Sequence, residues 1–214
     1  MIISHRHRFI FFAVPKTGTH AVRQALRAHL GAEDLEQVGH LAQKKFPFPE
    51  FRNISHGHIS VRQIRPVLGE EVFSSYVKFA FVRNPYDRFI SYCAFKGRDG
   101  SFQANPRRYI QHTLAQMRPP YPLLVFPQSE FLTDETGKLA IDFAGRTEEM
   151  QGDYTRLCLR LGLPAATLAR SNASPRADYR DYYDAELRDW VSAFYTRDFE
   201  MFGYRRELHA AQPA

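Results

Sequence analysis

Residues 15–19, with the sequence PKTGT, place a lysine, a glycine and two threonines between an apolar run and a stretch of helical periodicity. The start of a helix offers unpaired backbone N–H groups and the positive end of a dipole, which together favour an anion. Gly18 lets a ligand approach the backbone closely, while Thr17 and Thr19 add hydroxyl donors. Lys16 adds a mobile cation, so the segment indicates a site for a phosphate-like anion. An ordinary turn with a surface lysine fits the same pattern.

A second segment, RNPYDRFISY, begins at Arg83 and follows another apolar run. Arg83 stands at the carboxyl end of a predicted strand, where open α/β sheets place their ligands. Pro85 suits the first position of a helix, and on that helix Arg88 and Ser91 share a face. Arg83, the helix N-terminus and Ser91 are therefore candidates for holding a second phosphate. The alternative is that Arg83 pairs with a structural carboxylate and that Ser91 has no special role.

Two histidines, His56 and His58, flank a glycine and are candidates for a general base. Imidazole has an ordinary pKa of about 6.5, close to the pH at which a base works best. Asp87 and Glu148 are possible in principle, but a carboxylate is a weaker base unless burial raises its pKa. An H-x-H pair can also form half of a metal site. No matching cysteine or carboxylate cluster accompanies it, so we expect no metal; a plain surface loop remains an alternative.

Three apolar runs predict the strands that position these segments. They cover residues 9–14, 76–82 and 139–143, and such continuous runs are typical of strands in a parallel sheet. The predicted helices cover residues 20–30, 60–64, 85–95, 105–117, 147–161 and 184–202. Strands that alternate with helices predict an α/β fold with a mostly parallel central sheet flanked by helices.

Composition narrows the class of protein without naming a partner. Hydrophobic residues make up 44% and charged residues 24% of the 214 residues, which predicts a folded chain with one domain over residues 1–214. The net charge of +6 suits an anionic partner.

Cys93 and Cys158 lie in predicted helices and are expected to be buried, inert thiols. No apolar run is long enough for a membrane span and no signal-peptide layout is present, so we expect a soluble, cytoplasmic chain. The sequence predicts no oligomeric state.

The two phosphate-type segments together resemble the sulfotransferases. A P-K-T-G-T loop after the first strand, followed by R-N-P-x-x-R-x-x-S-x-Y after a later one, is similar to the carbohydrate group that includes heparan sulfate 2-O-sulfotransferase and bacterial relatives. Residues 142–148 and 198–204 resemble that family's D-F-x-G-R-x-E and D-F-x-x-F-G-Y segments. The resemblance runs in order over about residues 9–204. It implies a P-loop-like, three-layer α/β fold. Because the chain is short beside the family's eukaryotic Golgi members and shows no membrane anchor, we expect a soluble enzyme of the bacterial type, which puts glycosaminoglycan substrates in doubt.

The resemblance also implies a cofactor, 3'-phosphoadenosine 5'-phosphosulfate (PAPS), and a carbohydrate or glycolipid acceptor. In that family the first loop binds the 5'-phosphosulfate, and the arginine and serine of the second segment bind the 3'-phosphate. Carried over to this chain, the cofactor-binding residues are Lys16, Thr17, Gly18, Thr19, Arg83 and Ser91. His20 departs from the family pattern, in which a small hydroxyl residue is common, and this puts one phosphate contact in doubt.

The resemblance further implies roles for the catalytic residues. Lys16 would neutralise charge on the departing phosphate. The family has a similar H-x-H segment with a catalytic histidine, and bacterial members show an H-x-[ST]-x-R pattern that begins here at His58. His58 is therefore the expected base, with His56 as the alternative.

Three other interpretations of the sequence compete with a sulfotransferase. A P-loop-like nucleotide kinase is disfavoured because the chain has no Walker loop. A basic nucleic-acid-binding protein is disfavoured because the chain has no recognition-helix, zinc-finger or aromatic–basic sheet motif, so we expect no nucleic-acid partner. An inactive binding module related to sulfotransferases is disfavoured by the intact Lys16 and His58.

The basic loop at residues 170–181 is either a cover for a nucleotide or a solvated linker.

Overall fold

A computed structural model of the protein describes residues 1–39, 46–169 and 176–208. The chain divides into two units by its internal contacts. The first unit comprises Met1–Val82 and Gln128–Ser171, and the second comprises Arg83–Pro127 and Asn172–Ala214. The assignment of residues 1–214 to a single domain stays a prediction.

A mixed five-stranded sheet lies at the centre of the first unit. Its strands are β1 (Ile2–Ser4), β2 (Phe9–Phe12), β3 (Leu35–Glu36), β4 (Val77–Val82) and β5 (Phe143–Arg146). The strand order is β3-β1-β2-β4-β5, with β1 antiparallel to both β2 and β3. The pairs β2–β4 and β4–β5 are parallel. The predicted α/β class is confirmed, but the prediction of a mostly parallel sheet is wrong for the β3–β1–β2 side.

The antiparallel side has a simple cause in chain length. Only residues 5–8 connect β1 to β2, and a connection this short can close a hairpin but cannot carry the chain over to a parallel strand. Asp34 holds this turn by accepting hydrogen bonds from the Ser4 hydroxyl (2.8 Å) and from the backbone N–H groups of His5 (2.7 Å) and Arg6 (3.1 Å). The third predicted strand, at residues 139–143, is shifted, since β5 begins at Phe143.

The predicted helices are present with shifted ends. The described helices are α1 (Thr19–Arg27), α2 (Val61–Leu68), α3 (Glu70–Ser75), α4 (Pro85–Lys96), α5 (Ser101–Ala104), α6 (Pro106–Gln116), α7 (Ser129–Leu132), α8 (Met150–Leu161), α9 (Ala185–Phe194) and α10 (Thr196–Phe202). Three short helices, α3, α5 and α7, were not predicted. Short 3-10 turns cover Pro49–Phe51, Leu123–Val125, Thr147–Glu149 and Tyr179–Tyr182. None of the helices in the described ranges is long and apolar enough to cross a bilayer.

Each unit has its own apolar core. In the first unit, Val22 and Leu26 of α1 and Leu157 of α8 pack with the phenylalanines of β2 and β4. In the second unit, aromatic side chains of α4, α9 and α10 form the core. The predicted helix over residues 184–202 is in fact two helices, since the backbone of Tyr195 leaves helical geometry. The buried Tyr195 hydroxyl donates to the Val125 carbonyl at 2.7 Å, which ties the break between α9 and α10 to a distant segment.

Candidate active site

The loop at residues 15–19 has two left-handed backbone positions directly before a helix. Lys16 and Gly18 both have left-handed backbone conformations, with φ of 65° and 72°, and α1 begins directly afterwards at Thr19. The left-handed φ of 72° favours glycine at position 18 over any residue with a Cβ, and an added Cβ would also lie 2.5 Å from the Met150 methyl carbon, which would have to move. The first turn of α1 contains no acidic residue. The positive end of the helix dipole is therefore not neutralised by its own side chains.

The hydroxyl groups of two threonines, one inside the loop and one outside it, stabilise the loop conformation. The Thr17 side chain is fully buried, and its hydroxyl donates to the Val14 carbonyl at 3.0 Å. The Thr147 hydroxyl lies 3.1 Å from the carbonyl oxygens of both Thr17 and Val82, so it links the loop to the end of β4. In this conformation the hydroxyl proton of Thr17 is used within the fold, and its backbone N–H is the donor it can offer to a ligand. From the sequence, Thr147 was predicted only to begin a helix, so this role of its hydroxyl was missed.

His58 contacts the chain just before the loop. Its Nδ1 lies 2.6 Å from the carbonyl oxygen of Ala13, the residue that follows β2. A carbonyl oxygen can only accept a hydrogen bond, so Nδ1 must carry the proton in the neutral ring. The unprotonated atom of the neutral ring is then Nε2. This is the tautomer that a general base needs if it acts through Nε2.

Burial keeps this imidazole neutral near neutral pH. It lowers the pKa of His58 to about 4, although the hydrogen bond to the Ala13 carbonyl acts in the opposite direction. The basic form is therefore populated throughout the physiological range. A pKa of about 4 removes the advantage in basicity that an imidazole was expected to have over a carboxylate, so proton transfer to His58 must be coupled to other stabilisation of the transition state.

His56 is held differently from His58. The His58 backbone N–H donates to Nδ1 of His56 at 3.3 Å, and the Gln37 side-chain amide donates to the His56 carbonyl at 3.0 Å. The two rings stack with their centroids 6.0 Å apart. Burial also lowers the pKa of His56. The lone pair of neutral His56 thus faces the backbone of its neighbour, which favours a positioning role for His56 and a base role for His58.

The helix after His58 anchors it to the rest of the first unit. Ser60 is the N-cap of α2 and completes a capping box, which confirms the predicted helix start. Arg62 donates from Nε to the Asp134 carbonyl (3.0 Å) and from Nη2 to the Thr133 hydroxyl (2.9 Å). The last residue of the H-x-[ST]-x-R pattern therefore fixes α2, and α2 in turn fixes the direction of the chain that carries His58.

Gly57→Ala is expected to disturb this histidine segment. A Cβ at Gly57 would lie 2.1 Å from the Gln37 backbone oxygen, so one of the two backbones must move. Overpacking of this kind lowers the free energy of unfolding by about 1–3 kcal/mol. The control is Gly152→Ala in α8, where an added Cβ meets nothing within 4 Å; it should raise the free energy of unfolding by about 0.5–1 kcal/mol. Urea denaturation measures both, and equal stability of Gly57→Ala and the wild type would contradict the close approach.

Acid titration is expected to reveal the burial of His58. Its pKa of about 4 in the folded chain lies below the value of about 6.5 in an unfolded chain. Between these two values the unfolded chain binds more protons, so acidification lowers the free energy of unfolding. In His58→Gln this contribution is lost, and the free energy of unfolding should fall less steeply between about pH 6.5 and pH 4. Urea denaturation at several pH values tests this; identical slopes for the two proteins would show that His58 is not buried as described.

The second unit contains a pair of arginines that share one carboxylate. Arg83 directly follows β4 and donates from Nε to Oδ2 of Asp87 at 2.6 Å. Arg176 donates from Nη2 to Oδ1 of the same Asp87. The alternative in which Arg83 pairs with a carboxylate is therefore observed, and Asp87 is engaged as an acceptor rather than placed as a base. Two guanidinium groups facing one carboxylate leave a net positive charge.

Arg176 also retains an unused donor. Its side chain is 15% exposed, and its Nη1 atom is buried without a hydrogen-bond partner. A buried donor of this kind is costly unless a ligand or water satisfies it. Ser91 lies half-buried on α4. The guanidinium donors of Arg83 and Arg176 fit a phosphate.

Other parts of the predicted site are only partly described. Within the basic loop at residues 170–181, positions 170–175 lie outside the described residues. Arg180 forms an exposed ion pair with Asp178 at 2.9 Å. Across residues 1–39, 46–169 and 176–208, no group of three or more histidine, cysteine or acidic side chains is arranged to hold a metal ion.

Comparison with known proteins identifies the family. An uncharacterised protein of Archaeoglobus fulgidus is 30% identical over 120 residues, which is 55% of this chain and 93% of that relative. No solved structure matched the chain. A family model described as the sulfotransferase family matches residues 1–205. The chain therefore belongs to the sulfotransferase family.

Proposed function

We propose that this protein transfers a sulfuryl group from PAPS to a hydroxyl of a carbohydrate or glycolipid. The observation that carries the proposal is the contact of His58 with Ala13, which holds an imidazole with an unprotonated Nε2 beside the start of the anion-binding loop. A base and an anion site at the same sheet edge supply the two functions that sulfuryl transfer to an alcohol requires. Membership of the sulfotransferase family supports this chemistry.

The residues of the first unit divide the work between the acceptor and the leaving group. PAPS supplies the sulfuryl group, and the desulfated product leaves with the electron pair of the broken S–O bond. Nε2 of His58 accepts the proton of the acceptor hydroxyl as its oxygen forms the new bond to sulfur. Lys16 and the backbone N–H groups of Thr17, Gly18 and Thr19 stabilise the negative charge that grows on the leaving phosphate.

In the second unit, Arg83 and Ser91 are proposed to bind the 3'-phosphate. The shared carboxylate and the unused Nη1 of Arg176 support adding Arg176 to this set. A phosphate oxygen at Nη1 would satisfy a donor that is otherwise buried without a partner. Asp87 then acts as the residue that orients both guanidinium groups.

Binding measurements test this second phosphate site without an acceptor. 3'-Phosphoadenosine 5'-phosphate (PAP) and AMP differ only in the 3'-phosphate, so calorimetry should show that PAP binds more tightly. Arg83→Ala and Arg176→Ala should each weaken PAP binding by about 1.5–3 kcal/mol and leave AMP binding nearly unchanged. Arg180→Ala is the matched control, since Arg180 is exposed and pairs with Asp178. Equal affinity of the wild type for PAP and AMP would remove the role given to these arginines.

A further inference from the structure

A pocket of about 450 Å³ lies in the second unit and takes no part in the site described above. Side chains of α6 and α9 line it, together with Tyr182 and the N-cap of α9, Asp184. Its volume falls in the range of small-molecule pockets, which is about 300–1,000 Å³.

The floor of the pocket is apolar and contains an aromatic plane. Ile110 and Leu187 are buried in the core of the second unit and close the bottom. Trp190 lines the pocket, and its indole stacks on the ring of Phe194 with centroids 5.0 Å apart and planes 10° from parallel. Phe89 packs against the same indole at 5.8 Å. These contacts hold the indole as a rigid platform.

The rim of the pocket is polar and carries both donors and acceptors. Arg107 and Asp184 form an ion pair at 3.2 Å, and their side chains are 77% and 45% exposed, so the pair lies at the solvent edge. Asp184 also caps α9 by accepting from the Leu187 backbone N–H at 2.9 Å. Glu186 and Gln111 complete the rim and are exposed. The rim carries one positive and two negative charges.

We propose that this pocket binds a pyranose ring. A pyranose has an apolar face of C–H groups, which suits the indole of Trp190, and an equatorial belt of hydroxyls, which suits a rim of guanidinium, amide and carboxylate groups. An alkyl chain would make no hydrogen bond to the polar rim and would lower the hydration of its charged groups. A polyanion would meet the carboxylates of Asp184 and Glu186. The inference that this sugar is part of the acceptor rests on the proposed function. The inference that the pocket binds a sugar does not depend on it.

The test uses the intrinsic fluorescence of the protein, because Trp190 is the one tryptophan in the chain. Methyl α-D-glucopyranoside, methyl β-D-galactopyranoside and N-acetyl-D-glucosamine are titrated in turn, with 1-hexanol as the apolar comparison. At least one pyranoside should give a saturable change in emission, and 1-hexanol should not. Arg107→Ala and Gln111→Ala should weaken the apparent affinity by about tenfold.

Neighbouring residues on α6 provide matched controls. Arg108 and His112 are exposed residues of the same helix that do not line the pocket, so Arg108→Ala and His112→Ala should bind the sugar as the wild type does. The proposal is overturned if no pyranoside of the three gives a saturable change, if 1-hexanol gives an equal saturable change, or if the controls weaken binding as much as Arg107→Ala. PAP binding, measured in the same preparations, reports separately on the proposed function.

Discussion

His58→Ala is expected to lower turnover by about 10²- to 10⁴-fold while leaving PAP affinity nearly unchanged. The acceptor hydroxyl is a poor nucleophile until its proton is removed, and Nε2 of His58 is the lone pair that the hydrogen bond to Ala13 leaves for this purpose. The imidazole does not contribute to nucleotide binding in this account, so calorimetry with PAP should show little change.

His56→Ala is the matched comparison and should cost less. Its Nδ1 accepts from the His58 backbone N–H, so its removal loosens the segment without removing the base. Steady-state rates with an identified acceptor measure both variants. Near-normal turnover for His58→Ala, or a larger loss for His56→Ala, would reverse the assignment of the base.

Lys16→Met is expected to lower turnover by about 10²- to 10³-fold, a larger effect than its effect on PAP affinity. Methionine keeps an unbranched side chain but removes the charge. Negative charge on the bridging oxygen develops as the sulfuryl group departs, so the interaction with Lys16 is stronger in the transition state than in either bound nucleotide. Turnover and PAP dissociation constants, measured together, separate the two effects.

The comparison for Lys16 is Lys16→Arg, which retains a positive charge at the same backbone position. Partial recovery of turnover in this variant is expected, because arginine keeps the charge but spreads it over a planar group. If Lys16→Met weakens PAP binding and turnover by the same factor, Lys16 binds the cofactor uniformly and does not stabilise the transition state.

Local patterns predicted the elements that position the loop. The apolar runs around β2 and β4, the proline at the start of α4 and the Ser60 cap all depend on neighbouring residues, and the structure confirms them. The first helix was predicted to begin at His20 and begins one residue earlier, at Thr19. The pairing of β1 and β3 depends on contacts between distant residues. No local pattern marks strands of three and two residues, so they were missed.

The chemistry of the candidate site also depends on contacts that the sequence does not show. His56 and His58 look equivalent as residue types, and only their different hydrogen bonds distinguish their neutral tautomers. Asp87 was a possible base as a residue type, but the structure uses both of its oxygens for Arg83 and Arg176. The role of Thr147 depends on two carbonyls from separate parts of the chain. The assignment of the cofactor-binding and catalytic residues stays a prediction until variants are measured.

The most direct test of sulfuryl transfer from PAPS to a carbohydrate or glycolipid follows the sulfur of a labelled donor. PAPS labelled in its sulfur atom is incubated with the wild type, Lys16→Met and His58→Ala, in the presence of fractionated carbohydrates and glycolipids from the source cell. With the wild type, we expect the label to enter one fraction at the same rate as PAP is released, both with and without EDTA. With either variant, we expect the transfer of label to be strongly reduced. Absence of transfer by the wild type to every fraction, or transfer of phosphate from ATP instead, would contradict the account.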